Sequence, residues 1–285
     1  GGGSPKPPLS PGDMLFKESQ SDFFFYATGR NNCHGCLVRL ELSRRHDLFA
    51  TFWGLLKSDH PAKDTLTIEV VMNEDDMEPF VFAVCQRKLL KSMHSDVWDL
   101  KTFTGIINSS EVPSGFAVLA DSQEVVDKIL HGPVVKALGK FEHLFISMHF
   151  TDQNTDPVIG QSVVPRNVLR FKFLLPQVAE MAELRRLMEM SLHFIDHVAS
   201  GVKLSQQACW KATERRNEAA ERQFRRQHEQ RQEEMQRKKA EKLRRERSAY
   251  EMMTSEQKAK WDAREEKKLA RNSQGRKMKM KMQRM

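Results

Sequence analysis

The chain has 285 residues, with 46 Lys and Arg against 38 Asp and Glu, and only four cysteines. That length suits one sizeable core with an appendage, and so few cysteines exclude a disulfide scaffold and point to a reducing compartment. The charge is uneven: residues 201–285 hold 26 basic and 13 acidic residues, a net of +13, which leaves 20 basic and 25 acidic residues, a net of −5, for the rest.

Gly1-Gly2-Gly3-Ser4 reads as a linker or expression scar, and residues 5–12 carry too much proline for regular structure, so residues 1–12 are placed outside the fold. No run of 18 apolar residues and no charged-then-apolar leader is present, so a soluble fragment is expected. Phe23-Phe24-Phe25-Tyr26 is read as core. Residues 37–42 alternate Leu37, Arg39 and Glu41 with Val38, Leu40 and Leu42, the period of a half-buried strand. Residues 47–57 space Leu48, Phe49, Phe52, Trp53, Leu55 and Leu56 as a helix, which Pro61 forbids from continuing.

Two runs rich in β-branched residues and aromatics, 66–72 and 80–84, are expected to pair as a hairpin across the turn-forming Asn73-Glu74-Asp75-Asp76. Residues 87–100 predict a helix, 116–119 a short strand, and 124–138 a helical stretch interrupted at Gly132-Pro133. Strands at 144–150 and 168–175 follow, then an amphipathic helix at 178–198 bounded by Pro176 and Gly201. This order predicts an α+β domain over residues 13–200, with a mixed, largely antiparallel sheet and flanking helices.

From residue 201 onward, helix formers dominate. Acidic residues precede basic ones by four at Glu218/Arg222, Glu221/Arg225, Glu233/Arg237, Glu234/Lys238, Glu241/Arg245 and Glu256/Lys260. Each pair adds about 0.2–0.5 kcal/mol to an exposed helix. Phe224, Met235, Leu243, Tyr250, Trp261 and Leu269 are too sparse for an apolar heptad seam. A lone charged helical extension, coiled-coil-like in composition but not a dimeric coiled coil, is therefore predicted over residues 201–285, broken near Met253-Thr254-Ser255 and restarting at Ser255-Glu256.

Cys33-His34-Gly35-Cys36 has C-x-x-C spacing, but zinc needs a second ligand pair and only Cys85 and His46 are remote candidates, so a structural role is assigned. Glu74, Asp75, Asp76 and Glu78 lack the spacing of an EF-hand and read as a solvated turn. Asp121, Asp127, His131 and His143 accompany no nucleophile elbow, phosphate-cradling glycine loop or H-E-x-x-H helix, so no catalytic residue, metal or cofactor is assigned. The constellation with positive content is basic: Arg237, Lys238, Lys239, Lys242, Arg244, Arg245, Arg247, Lys267, Lys268, Arg276, Lys277, Lys279, Lys281 and Arg284. These cations can neutralise phosphates and release counterions. A solvated charged helix is the competing reading, but Lys277-Met278-Lys279-Met280-Lys281-Met282 alternates cations with adaptable thioethers that suit structured RNA.

Several blocks resemble one family. Residues 68–77 leading into Phe80-Val81-Phe82-Ala83-Val84, the stretch Val112 through Leu119, His149 through Gln153, and Lys267-Lys268-Leu269 through the Lys-Met alternation are similar, in this order, to the cytosolic domain of the calumin family, the coiled-coil subunit of the translocon-associated PAT complex. The resemblance runs from about Phe25 onward. It implies a non-enzymatic scaffold or chaperone at the cytosolic face of the endoplasmic reticulum membrane, supporting biogenesis of multipass membrane proteins. The partners it implies are Asterix, the Sec61 channel with other translocon components, and ribosomal RNA reached by the basic tail. It also implies anchoring by a transmembrane helix outside these residues, and places the family's calcium homeostasis in an acidic segment outside them too. The rival readings are a general RNA-binding or membrane-surface protein acting through its tail, and a metal-dependent enzyme built on the C-x-x-C region.

Overall fold

The computed structural model describes residues 15–43, 63–153, 165–264 and 266–267. Its strands are β1 (Phe16–Lys17), β2 (Asp22–Ala27), β3 (Cys33–Glu41), β4 (Thr65–Met72), β5 (Phe82–Gln86), β6 (Gly105–Ile107), β7 (Phe116–Ala120), β8 (Phe145–Thr151) and β9 (Val168–Leu174). They form one sheet in the order β1-β2-β3-β4-β9-β8-β5-β7-β6, and every pairing is antiparallel. The helices are α1 (Leu90–Asp96), α2 (Trp98–Phe103), α3 (Gln123–Ile129), α4 (Gly132–Lys140), α5 (Met181–Asp196) and α6 (Gln206–Glu251). The architecture is α+β with a long charged helical extension. The helix expected at 47–57 lies outside the described residues.

Period-two alternation builds the sheet. On β4, Leu66, Ile68, Val70 and Met72 point to one face, and Leu169, Phe171 and Phe173 of β9 join them. That face packs on Val125, Val126 and Ile129 of α3, Val134 and Leu138 of α4, and Leu184, Leu187, Phe194 and Ile195 of α5. The opposite face carries Val81, Ala83 and Leu119, covered by Leu100 and Phe103 of α2 and by Ala219 of α6. Farther along that face the side chains form an ion ladder: Arg39 to Asp22 at 3.2 Å and to Glu41 at 3.1 Å, and Arg170 to Glu69 at 3.0 Å.

The expected 66–72/80–84 hairpin does not form: β9 and β8 lie between β4 and β5. The hairpin of β8 and β9 brings Phe145, Met148, Phe150, Leu169, Phe171 and Phe173, all at 0% exposure. Burying each such side chain is worth about 1.5–3 kcal/mol, and an edge position would leave one flank uncovered. The 73–81 link is also more than a turn, since Phe80 and Val81 in it are fully buried. The single helix expected at 87–100 breaks at Val97, whose extended backbone (φ −95, ψ 113) separates α1 from α2. That break turns Asp99 and Leu100 into the sheet, where buried His149 meets Asp99 with Nε2 2.9 Å from Oδ2. Burial opposes the charge of Asp99, but the His149 hydrogen bond and charge, Thr151 and the Leu100 N–H outweigh it and hold the carboxyl below its ordinary range.

The chain divides into two compact units, residues 1–221 and 222–285. The first extends beyond the boundary expected at residue 200, because Ala212 and Ala219 of α6 are buried. In the second, α6 ends at a turn and residues 255–264 are helical again, as the Ser255-Glu256 restart predicts. Tyr250 packs on Trp261 at 5.2 Å and donates a hydrogen bond to Asp262 at 3.1 Å, closing that elbow. Among the described residues no helix is long and apolar enough to cross a membrane.

Candidate nucleic-acid interface

The sequence places seven of its candidate cations between residues 237 and 247, and all seven lie exposed on α6 in the second unit. At about 3.6 residues per turn they fall on two sides of the helix. Lys238, Lys239, Lys242 and Arg245, three or four residues apart, share one side; Arg237, Arg244 and Arg247 share the other. Lys238 pairs with Glu234 at 2.9 Å and Arg245 with Glu241 at 3.3 Å, two of the i,i+4 pairs read from the sequence. Such exposed pairs exchange readily for phosphate, since each is worth only a few tenths of a kcal/mol. Lys267 is helical and exposed. Lys268, Arg276, Lys277, Lys279, Lys281 and Arg284 lie outside the described residues.

Two further arginines of α6, Arg215 and Arg216, belong to the first unit. Arg216 is 11% exposed and grips Asp152 with Nη2 2.7 Å from Oδ1, while its Nη1 reaches Asp121 Oδ2 at 3.2 Å. Its guanidinium also lies 5.2 Å from the centre of the Phe103 ring. Burial works against the cation, yet Asp152 and Asp121 together raise its pKa further. Arg215 donates to Asp121 Oδ1 at 2.5 Å. At the start of the helix, Glu124 accepts from both the backbone N–H and the hydroxyl of Ser205, each at 2.8 Å, and these hydrogen bonds lower its pKa. Cys209 donates to Glu78 at 3.3 Å. Sequence reasoning treated this stretch as tail. The missed signal was Ala212 and Ala219, two small residues seven apart on one face of an otherwise charged helix.

The remaining candidates are dispersed. Cys33 and Cys36 sit on β3 on the face that α3, α4 and α5 cover, whereas Cys85 is on β5, three strands away in the sheet order beyond β4. Burial pushes the Cys36 and Cys85 thiols up to about 11, which keeps them protonated and poor as ligands or nucleophiles. His46 lies outside the described residues, and among the described residues no group of three or more His, Cys, Asp or Glu could hold a metal ion. Glu74–Asp76 form a short 3₁₀ turn in which Asn73 donates to Asp76 at 2.6 Å, and Glu78 is held by Cys209. Asp121 binds the arginines, Asp127 accepts from Gln123, His143 meets Glu183 and His131 lies tilted against His197 with ring centres 4.6 Å apart, so four different settings hold these four residues.

The sequence profile of the family described as PAT complex subunit CCDC47 matches residues 8–272. An uncharacterized protein of Arabidopsis thaliana is 35% identical over 222 residues, covering 74% of this chain and 44% of that one. The PAT complex subunit CCDC47 of Xenopus laevis is 32% identical, covering 65% of this chain and 40% of its own length. The human protein of that name is 30% identical over 244 residues, 80% of this chain and 50% of its own. The chain thus spans about half the length of the curated relatives it matches. A match that runs through the sheet, the seat of α6 and the basic helix alike means that this chain belongs to the PAT complex subunit CCDC47 family.

Proposed function

We propose that this chain is the cytosolic part of a non-enzymatic scaffold in a PAT complex at the endoplasmic reticulum membrane, supporting the biogenesis of multipass membrane proteins. In this reading the α+β body docks on translocon components, Asterix and the Sec61 channel among them. A membrane helix outside these residues anchors it, and the basic helix reaches ribosomal RNA. The observation that carries the reading is family membership combined with the exposure of every described cation between residues 237 and 247. The spread of those cations around the helix also favours a second reading, a general RNA-binding or membrane-surface protein that needs no translocon partner.

Co-sedimentation with ribosomes across a salt series tests the RNA contact. Binding should weaken steeply with salt, with a logarithmic slope of about −0.7 per neutralised single-strand phosphate. Replacing Arg237, Arg244, Arg247, Lys267 and Lys268 with glutamine should weaken binding and flatten the slope while leaving helix propensity nearly unchanged. An equal slope in wild type and variant would place the contact elsewhere. Co-purification of the glutamine variant with Sec61 would support the scaffold reading, and its loss together with ribosome binding would favour the tail-only alternative.

A further inference from the structure

The last carbonyls of α3, those of Lys128 and Ile129, have no partner within their own helix. Two imidazoles supply the hydrogens: His197 Nε2 lies 3.0 Å from the Lys128 oxygen and His131 Nδ1 3.2 Å from the Ile129 oxygen. A carbonyl only accepts, so in the neutral rings these nitrogens carry the protons, and His131 Nε2 and His197 Nδ1 keep bare lone pairs. Among the described residues neither lone pair has a hydrogen-bond partner. Both rings line a cleft of about 350 Å³ between α4 and α5, a size within the range of about 300–1,000 Å³ in which ligand pockets fall. Val134 and Ala137 of α4 and Met190 and Phe194 of α5 make its apolar walls. The wide π turn His197–Gly201 that follows α5 sets His197 in place, and such turns are rare and recur at functional sites. A Cβ on Gly201 would stand 2.9 Å from His197 Nδ1, so glycine there leaves that lone pair uncovered.

Charge narrows what can enter. Among the described residues that line the cleft there is no lysine or arginine, so an anion finds no countercharge. Asp196, the one carboxylate, is matched by Arg30 at 2.7 Å, which leaves a cation no free charge either. Ser200 donates its hydroxyl to the Asp196 carbonyl at 2.7 Å, and His193 stands at the exposed mouth. Inside, apolar walls meet two acceptors, a setting that suits a neutral ring bearing an N–H or O–H. We propose that the cleft seats the indole or phenol of a Trp or Tyr side chain from a partner polypeptide, its donor on His197 Nδ1 with His131 Nε2 as a second acceptor beside it. The Met190 sulfur and the Phe194 ring offer the contacts that aromatic rings favour. Because Pro133, His193 and Ser200 leave the mouth open, a free small molecule would keep one side in water. A side chain brings the contacts of its own chain as well, and such rings are frequent anchors of protein interfaces.

Nuclear magnetic resonance of the full chain, isotope-labelled at its methionine methyls and titrated with N-acetyl-tryptophanamide, tests this. The Met190 signal, assigned through Met190→Leu, should move saturably with a Kd of about 0.1–1 mM, the scale for a ligand of that size. The N-methylindole analogue and N-acetyl-phenylalaninamide lack the donor and should each bind about threefold or more weakly. Ala137→Trp fills the cleft and should abolish the shift; Gly201→Ala covers His197 Nδ1 and should weaken binding by a similar factor to loss of the donor. Circular dichroism shows whether each variant folds, and if Ala137→Trp does not, Gly201→Ala and the analogues decide. An unmoved Met190 signal, equal affinity for the donor-free analogues, or undiminished binding by a folded variant of either kind would overturn the proposal. So would tighter binding of indole-3-acetate, which means an anionic ligand, or failure of acetyl-glycyl-tryptophyl-glycinamide to bind, which means a free one. A Met190 shift on concentrating the protein alone would overturn it in favour of a second copy of the chain.

Discussion

Replacing Arg216 with alanine removes one cation from between two carboxylates that are 5% and 10% exposed. Breaking a buried ion pair by deleting one partner costs about 3–5 kcal/mol, because the other charge stays buried without compensation. Losing the cation over Phe103 adds about 0.5–2 kcal/mol. The loss can surface in two ways: as a lower global stability, or as detachment of the first turns of α6. Urea unfolding followed by circular dichroism reads the first, and hydrogen exchange of amides 206–221 reads the second. A variant that also carries Asp121→Asn and Asp152→Asn leaves no orphaned charge and is expected to recover most of the deficit. If Arg216→Ala stays within 1 kcal/mol of wild type and its 206–221 amides stay protected, the Asp121–Arg216–Asp152 cluster does not hold the helix.

Burial, then the neighbouring His197 and His193, lowers the His131 pKa; its folded value lies below its unfolded one, so its contribution to stability is full above about pH 6.5 and is lost as pH falls from there through the lower folded value. His131→Asn should flatten the stability profile between neutral and mildly acidic pH, and an unchanged profile would refute the assignment. Thiol titration at pH 8 should find Cys36 and Cys85 slow to react until urea exposes them, because protonated buried thiols are poor nucleophiles. As their folded pKa values are raised, their stabilisation is lost above the ordinary thiol range, and melting temperature should fall as pH climbs from about 8.5. His149→Phe should cost about 1–3 kcal/mol by stripping buried Asp99 of its partner, read by thermal unfolding.

What could be read beforehand was periodicity. β4 and β9 alternate cleanly because one face of each is core and the other carries Glu69 or Arg170, so their positions follow from the residues themselves. The charged helix and its break after Glu251 were legible for the same reason, through propensity and i,i+4 pairing. Pairing partners were not: β4 and β5 are neighbours in sequence, and only the larger burial offered by β8 and β9 decides against joining them. The short β6 carries too few residues for any period. Arg216 was illegible as a buried ion because nothing local distinguishes it from Arg215, which is 51% exposed; its burial depends on Asp152, 64 residues away. The cations of the basic helix could be named but not sided until the helix phase was known.

The placement of β8 and β9 between β4 and β5 also governs how the protein is made. When β4 leaves the ribosome it can pair with β3, but its other edge waits for Val168–Leu174, roughly 100 residues later, or about 5–20 s at ordinary synthesis rates. During that interval an apolar strand edge is open to any passing strand. The sheet therefore closes late, through contacts of long sequence separation, and such closures are slow. Slowing synthesis between residues 72 and 168 would lengthen the exposure, whereas speeding it would shorten the time in which nascent chains can aggregate.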